Sequence, residues 1–151
     1  MHPSRTLPAL VLATLAAAPM QAQAQAQDWA QQQVDRYVRV WSTNEGVNRD
    51  SMREFYADRV VYYGRSMTRE QVFADKLRYI AHWPQREYRM VPGTVSAKCD
   101  SAHEVCRATG VMRWSRTSNT GRSASGESRM SFTLTRSSGG KIIRESAVTL
   151  R

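Results

Sequence analysis

Between Phe55 and Met90 the chain reads FYADRVVYYGRSMTREQVFADKLRYIAHWPQREYRM, and no other stretch restricts the fold as much. Val60, Val61, Tyr62 and Tyr63 are β-branched or aromatic, the types that suit a pleated surface, and predict a strand over Asp58–Tyr63. Gly64 ends that strand. Thr68 followed by Gln71 has capping-box spacing and starts a helix. Pro84 stops the helix just after Trp83. The stretch holds five of the chain's six Tyr and two of its three Phe, so any pocket would take its wall from here.

The flanking segments extend the pattern. Ala30, Val34, Tyr37, Val38 and Trp41 fall on one face of a helix over residues 28 to 42, with Asp28 placed to cap it. A second short helix, about Arg49 to Tyr56, groups Met52, Phe55 and Tyr56. Within the Thr68-capped helix, Phe73, Leu77 and Ile80 form the apolar stripe, and Asp75, Arg78, Tyr79 and His82 share the opposite, solvated face. Beyond it the period changes to two. Tyr88 and Met90 alternate with charged residues. Pro92-Gly93 switches the parity to Val95, Ala97 and Cys99, as a bulge does. Cys106, Ala108, Gly110, Met112 and Trp114 form one inward set, and Met130, Phe132 and Leu134 another. Arg116 to Glu127 has no apolar residue larger than Ala and reads as a long mobile hairpin loop. The last strand runs from Lys141 to Leu150. Its parity is open: either Ile142, Ser146, Val148 and Leu150 point inward, leaving Glu145 out, or Ile143, Glu145 and Ala147 do.

The N-terminus has a separate character. Met1 to Arg5 carries one Arg, Leu7 to Pro19 is apolar and uncharged, and Ala22, Ala24 and Ala26 alternate with Gln. This order predicts a secretory signal peptide over residues 1–26 and one domain over 27–151. The apolar run is shorter than the roughly 20 residues that cross a bilayer, and the mature part contains no transmembrane segment. The predicted location is therefore periplasmic or secreted. In an exported chain, the pair Cys99 and Cys106 reads as a disulfide across the neck of a hairpin. With His103 they supply only three ligands, so no metal site is expected. The mature part carries 21 Lys and Arg against 13 acids, a net charge of +8. That balance suits anionic partners such as wall polymers or lipid headgroups, although the Arg are scattered as on a solvated surface. Export argues against nucleic acid.

Helices first and hairpin-joined strands afterwards argue for an α+β fold, a curved, mainly antiparallel sheet wrapped over three N-terminal helices. In this element order, and in the segments FYADRVVYYG, AHWPQREY and KIIRES, the chain resembles the NTF2-like (SnoaL-like) superfamily, in particular its small exported bacterial members. Some of those occur beside envelope enzymes, including L,D-transpeptidases. The resemblance implies a cone of three helices against the curved sheet, with homodimerisation through the open sheet face. It does not imply one activity: the superfamily holds isomerases, dehydratases and hydrolases alongside non-catalytic binding modules.

Candidate site residues follow from the residues themselves. Tyr56, Tyr62, Tyr63, Trp83, Tyr88, Met112, Trp114 and Phe132 could line the open end of a cone, or pack as core with the hydroxyls satisfied at the rim. Among possible catalytic groups, Glu145 would be a buried carboxylate needing a partner if its parity is inward. Asp58 sits at a helix-to-strand junction, and Tyr63 could meet Glu145. No phosphate loop, nucleophile elbow or zinc-binding helix motif occurs, and no cofactor is expected. The expectation is a non-catalytic envelope module that binds a small apolar ligand or a protein partner. The alternatives are an isomerase or hydro-lyase acting on a small apolar substrate, and a binder of anionic envelope polymers or lipids.

Overall fold

Along helix α1 (Ala17–Trp41) the inward residues grow in size, from Ala26 and Ala30 through Val34 and Tyr37 to Trp41. The inward face of strand β5 (Val105–Thr117) grows in the same sense, from Cys106, Ala108 and Gly110 to Met112 and Trp114. Where both are small, helix and sheet close on each other; where both are large, they are held apart. A taper follows directly from these side-chain volumes. The structure, a computed structural model, describes residues 17–150, so most of the leader-like segment lies outside the described residues. The helix is already running at Ala17, so Asp28 lies inside it and does not cap it.

Helix α2 (Arg49–Phe55) is capped by Asn48, whose side chain accepts from the Asp50 and Ser51 amides. Tyr56 then opens strand β1 (Tyr56–Tyr62) rather than closing the helix. Tyr63 and Gly64, with φ of 47° and 80°, make the tight turn into β2 (Arg65–Thr68), a short strand that the sequence pattern does not mark. Thr68 caps α3 (Arg69–His82), and Gln71 completes the capping box.

The strands form one seven-stranded sheet. With β3 (Gln85–Met90), β4 (Ser96–Cys99), β6 (Ser123–Thr135) and β7 (Lys141–Leu150), its order is β2-β1-β7-β6-β5-β3, with β4 also on β5. Only β1 and β7 run parallel. Strands β3 and β4 pair with consecutive parts of β5, and Tyr88 and Ala97 are both buried, so the parity does switch across Pro92-Gly93. The disulfide Cys99–Cys106 joins directly opposed residues of β4 and β5 at the narrow end.

Two expectations change here. The hairpin between β5 and β6 is not a long loop: only residues 118–122 turn. Polar cross-strand pairs hold the extension in place of apolar ones, with Arg113 on Glu127 at 2.7 Å and the Thr117 and Ser123 hydroxyls 3.0 Å apart. Helix α3 is also turned relative to its apolar stripe. Val72 and Lys76 are fully buried, while Leu77 is 45% exposed. The face with Asp75 and Tyr79 therefore looks inward, and only Arg78 and His82 of the expected wet set are exposed.

Candidate functional site

The wide end of the taper encloses a cavity of about 380 Å³. Trp41 of α1, Tyr62 of β1, Tyr79 of α3, Tyr88 of β3, and Met112 and Trp114 of β5 give it an aromatic wall. Glycine makes the room: a Cβ on Gly126 would meet the Trp114 ring at 2.8 Å, so only glycine at that register position lets the indole lie across β6. The Trp114 indole N–H donates to Ser128 Oγ at 3.1 Å, which fixes the ring. Trp41 stacks on Tyr88 with centroids 6.1 Å apart, and the Tyr79 and Tyr88 hydroxyls bond each other at 3.0 Å.

Glu145 lies in the cavity wall and is only 2% exposed. Both parities proposed for its strand are half right. Thr133 faces Arg144 but Leu134 faces Ile142, so Ile143 is an extra residue in β7. That bulge lets Ile142 and Glu145 point inward together. The Tyr37 hydroxyl donates to the Glu145 carboxylate, 3.0 Å from each oxygen, and the Tyr56 hydroxyl donates to Oε2. Lys76 Nζ donates to the Tyr37 oxygen at 2.8 Å. Lysine and glutamate thus meet through a phenol rather than directly. Lys76 is 2% exposed, sits 3.8 Å above the Trp41 ring, and has Tyr37, Tyr56 and Tyr62 around it. Burial lowers its pKa to about 8, against the pull of the Glu145 and Asp75 charges. Burial, then the nearby Glu145 charge, pushes the Tyr37 and Tyr56 phenols well above their ordinary range. The cluster can therefore hold protons on both phenols while burial brings its lysine down to about 8.

Of the sequence-derived candidates, the structure gathers Tyr62, Tyr63, Tyr88, Met112, Trp114 and Glu145 around the cavity. Tyr63 is at its edge, 48% exposed, tied by its amide to the Glu145 carbonyl at 2.9 Å rather than by its hydroxyl to the carboxylate. Tyr56 and Phe132 lie behind the wall: Tyr56 bonds Glu145, and Phe132 packs edge-on against Tyr37 at 5.5 Å. Trp83 stands outside the lining, under the Arg116 guanidinium at 4.3 Å. Asp58 is excluded from the site, because its carboxylate is 90% exposed and pairs with Arg69 at 2.9 Å. Five residues of the site were not foreseen: Tyr37 and Trp41, placed by pattern on the core face of α1; Tyr79, expected on the solvated face of its helix; Arg116, placed in a loop; and Lys76. The available signal for Lys76 was its rarity, since the chain carries 3 Lys against 19 Arg and lysine is the base whose pKa shifts readily on burial.

Elsewhere, among the described residues no group of His, Cys, Asp and Glu is placed to hold a metal, and no helix is long and apolar enough to cross a membrane. The outer sheet face carries Lys98, Arg107, Arg129 and Arg144, all exposed and spread over four strands.

The chain matches no protein-family model and no curated protein. Solved structures do match. An NTF2-like superfamily protein from Salmonella enterica superposes with a TM-score of 0.70 at 7% identity, over 85% of this chain and 93% of that one. A protein from Novosphingobium aromaticivorans, provisionally a scytalone dehydratase, superposes at 0.68 and 10% identity, over 90% and 89%. An NTF2-like protein of unknown function from Exiguobacterium sp. 255-15 superposes at 0.58 and 12% identity, over 78% and 98%. At these identities the likeness is one of fold.

Proposed function

From an NTF2-like fold with this cavity, we propose that the protein is a ligand-binding module whose cone takes a small, largely apolar molecule at its wide end, outside the cytoplasm. The observation that carries the reading is the cavity of about 380 Å³, walled by aromatic side chains and closed by the buried Glu145 cluster. Apolar lining with a few fixed polar groups is the usual composition of a small-molecule site. The Glu145 carboxylate already accepts from two phenols, which favours a preorganised polar wall over a free base. The location is supported by the Cys99–Cys106 disulfide together with the leader-like N-terminus. The test is a titration of naphthalene-2-carboxamide followed by tryptophan fluorescence, with Trp41 and Trp114 in the wall as reporters. Saturable binding is expected in the wild type, and none in Ala147→Phe, which fills the cavity from β7. Equal binding by both proteins would place the ligand elsewhere.

A second reading, an acid–base isomerase or hydro-lyase on the same kind of molecule, draws on one observation: Glu145 and Tyr37 meet within hydrogen-bond reach in the cavity wall, with Tyr56 bonding Glu145 from behind it. In it Glu145 would move a proton and Tyr37, backed by Lys76, would steady the developing oxyanion. Exchange of the α-protons of 2-tetralone in D₂O, followed by NMR, should then be accelerated by wild type and not by Glu145→Gln. The same exchange rate in both would reject it.

A further inference from the structure

Resting on the cavity reading above, we infer that the ligand carries a carboxylate or another compact anionic group, and that Arg116 at the rim of the cavity receives it. Among the described residues, buried Arg86 and half-buried Arg116 both stack on aromatic rings, and they differ in how their donors are used. Arg86 lies 5.0 Å over Trp41 and spends its terminal nitrogens on protein oxygens: Asn44 at 2.6 Å, Trp83 at 3.0 Å, and Trp41 and Thr43 at 3.1 Å. It ties the end of α1 to β3, and only its Nε is left without a partner.

Arg116 is held between rings as well, 4.3 Å from Trp83, 4.9 Å from Trp114 and 5.7 Å from Tyr79. One of its nitrogens donates to the Tyr79 hydroxyl at 2.6 Å. Its Nε is buried without a partner, and among the described residues no carboxylate lies within ion-pair distance. A guanidinium has five N–H donors in a fixed fork, a shape that matches a carboxylate edge-on. Stacking on the rings removes water from its faces and fixes its plane, and removing water strengthens any charge pairing made there. Arg116 lines the same cavity as Glu145. Arg65 lines it too, but from the exposed side, where pairing with a charge is worth little. An aromatic-walled cavity with a half-buried guanidinium at its rim, stacked on rings and without a carboxylate partner, fits a small aromatic or alicyclic acid better than a neutral hydrocarbon.

The experiment uses two probes of one shape, naphthalene-2-carboxylate and naphthalene-2-carboxamide, on wild type, Arg116→Lys and Arg116→Gln, with folding checked by circular dichroism. The carboxylate is expected to bind wild type at least 10-fold tighter than the amide. Arg116→Gln should erase that preference while changing amide affinity less than twofold, and Arg116→Lys should keep part of it. Equal binding of acid and amide by wild type, or an equal loss of both in Arg116→Gln, would overturn the assignment and leave the cavity reading standing. Binding of neither probe by folded wild type would overturn both.

Discussion

The two ends of the cone are built from the same elements and do opposite things. At the narrow end Ala26, Ala30, Ala97, Ala108 and Cys106 bring α1 onto β4 and β5, the disulfide locks the edge, and Gln31 donates to the Val95 carbonyl at 3.1 Å. At the wide end α1 presents Tyr37 and Trp41 to Tyr88, Trp114 and Glu145, and the space between them is not filled. Small side chains give close approach and stability. Large ones prop the layers apart, and the ionisable groups that any core of this size would avoid collect in the gap. In the proposed reading, this fold keeps its stabilising and its binding parts at separate ends of one helix.

Changes that respect this separation should act on one end only. The largest effect is expected at Glu145, because Glu145→Ala would leave Lys76 buried without its counter-charge and two phenols without their acceptor. Urea unfolding should show a loss of about 3–5 kcal/mol, against about 1–3 kcal/mol for Glu145→Gln, which keeps an acceptor in place. At the other end, Cys99→Ser with Cys106→Ser should cost about 2–3 kcal/mol for so short a loop and leave probe affinity within twofold. A cysteine-free protein that binds poorly would mean that the two ends are coupled.

An intermediate effect separates the ends by pH. Lys76 is ringed by Tyr37, Trp41, Tyr56 and Tyr62 and feels the charges of Glu145, Asp75 and Arg86, and its folded pKa of about 8 lies below the ordinary 10.5. Below pH 8 both states hold the proton and the buried charge is fully costly. From pH 8 to about 10 the folded state releases it first, so stability should rise with pH, by about 2 kcal/mol. Above pH 10 the trend should reverse, because unfolded tyrosines ionise while Tyr37 and Tyr56, raised by burial, stay protonated. Lys76→Met should abolish the rise and keep the reversal. The smallest effect is expected at Leu77, whose side chain is half in water on the outside of α3: Leu77→Gln should shift stability by no more than about 0.5 kcal/mol.

The sequence made the frame readable because its signals are local. Thr68 and Gln71 cap α3, the period-two runs define β5 and β6, and Cys99 and Cys106 fall opposite each other, all within a few residues. The site was readable in part: Tyr62 and Tyr88 of the wall came from the Tyr-rich stretch and Met112 and Trp114 from the inward set of β5, while Trp41 and Tyr79 were not expected there. What failed depends on long-range packing. Which face of α3 turns inward is decided by Trp41, Tyr37 and Glu145, 35 to 69 positions from Lys76, and they favour the face carrying a lysine over the one carrying Leu77. The inward turn of Glu145 hinges on a one-residue bulge at Ile143 that leaves no mark in composition. Arg116 was hidden by a polar strand extension that looks like a loop.

The account rests on the wide end being the binding end. Amide shift mapping of the ¹⁵N-labelled protein with naphthalene-2-carboxylate tests that directly. The shifts should concentrate at Tyr62, Tyr88, Met112, Trp114 and Met130, with the narrow-end residues Ala30, Ala97 and Cys106 unmoved. Shifts confined to Arg107, Arg129 and Arg144 on the outer sheet face, or none at saturating probe, would contradict it.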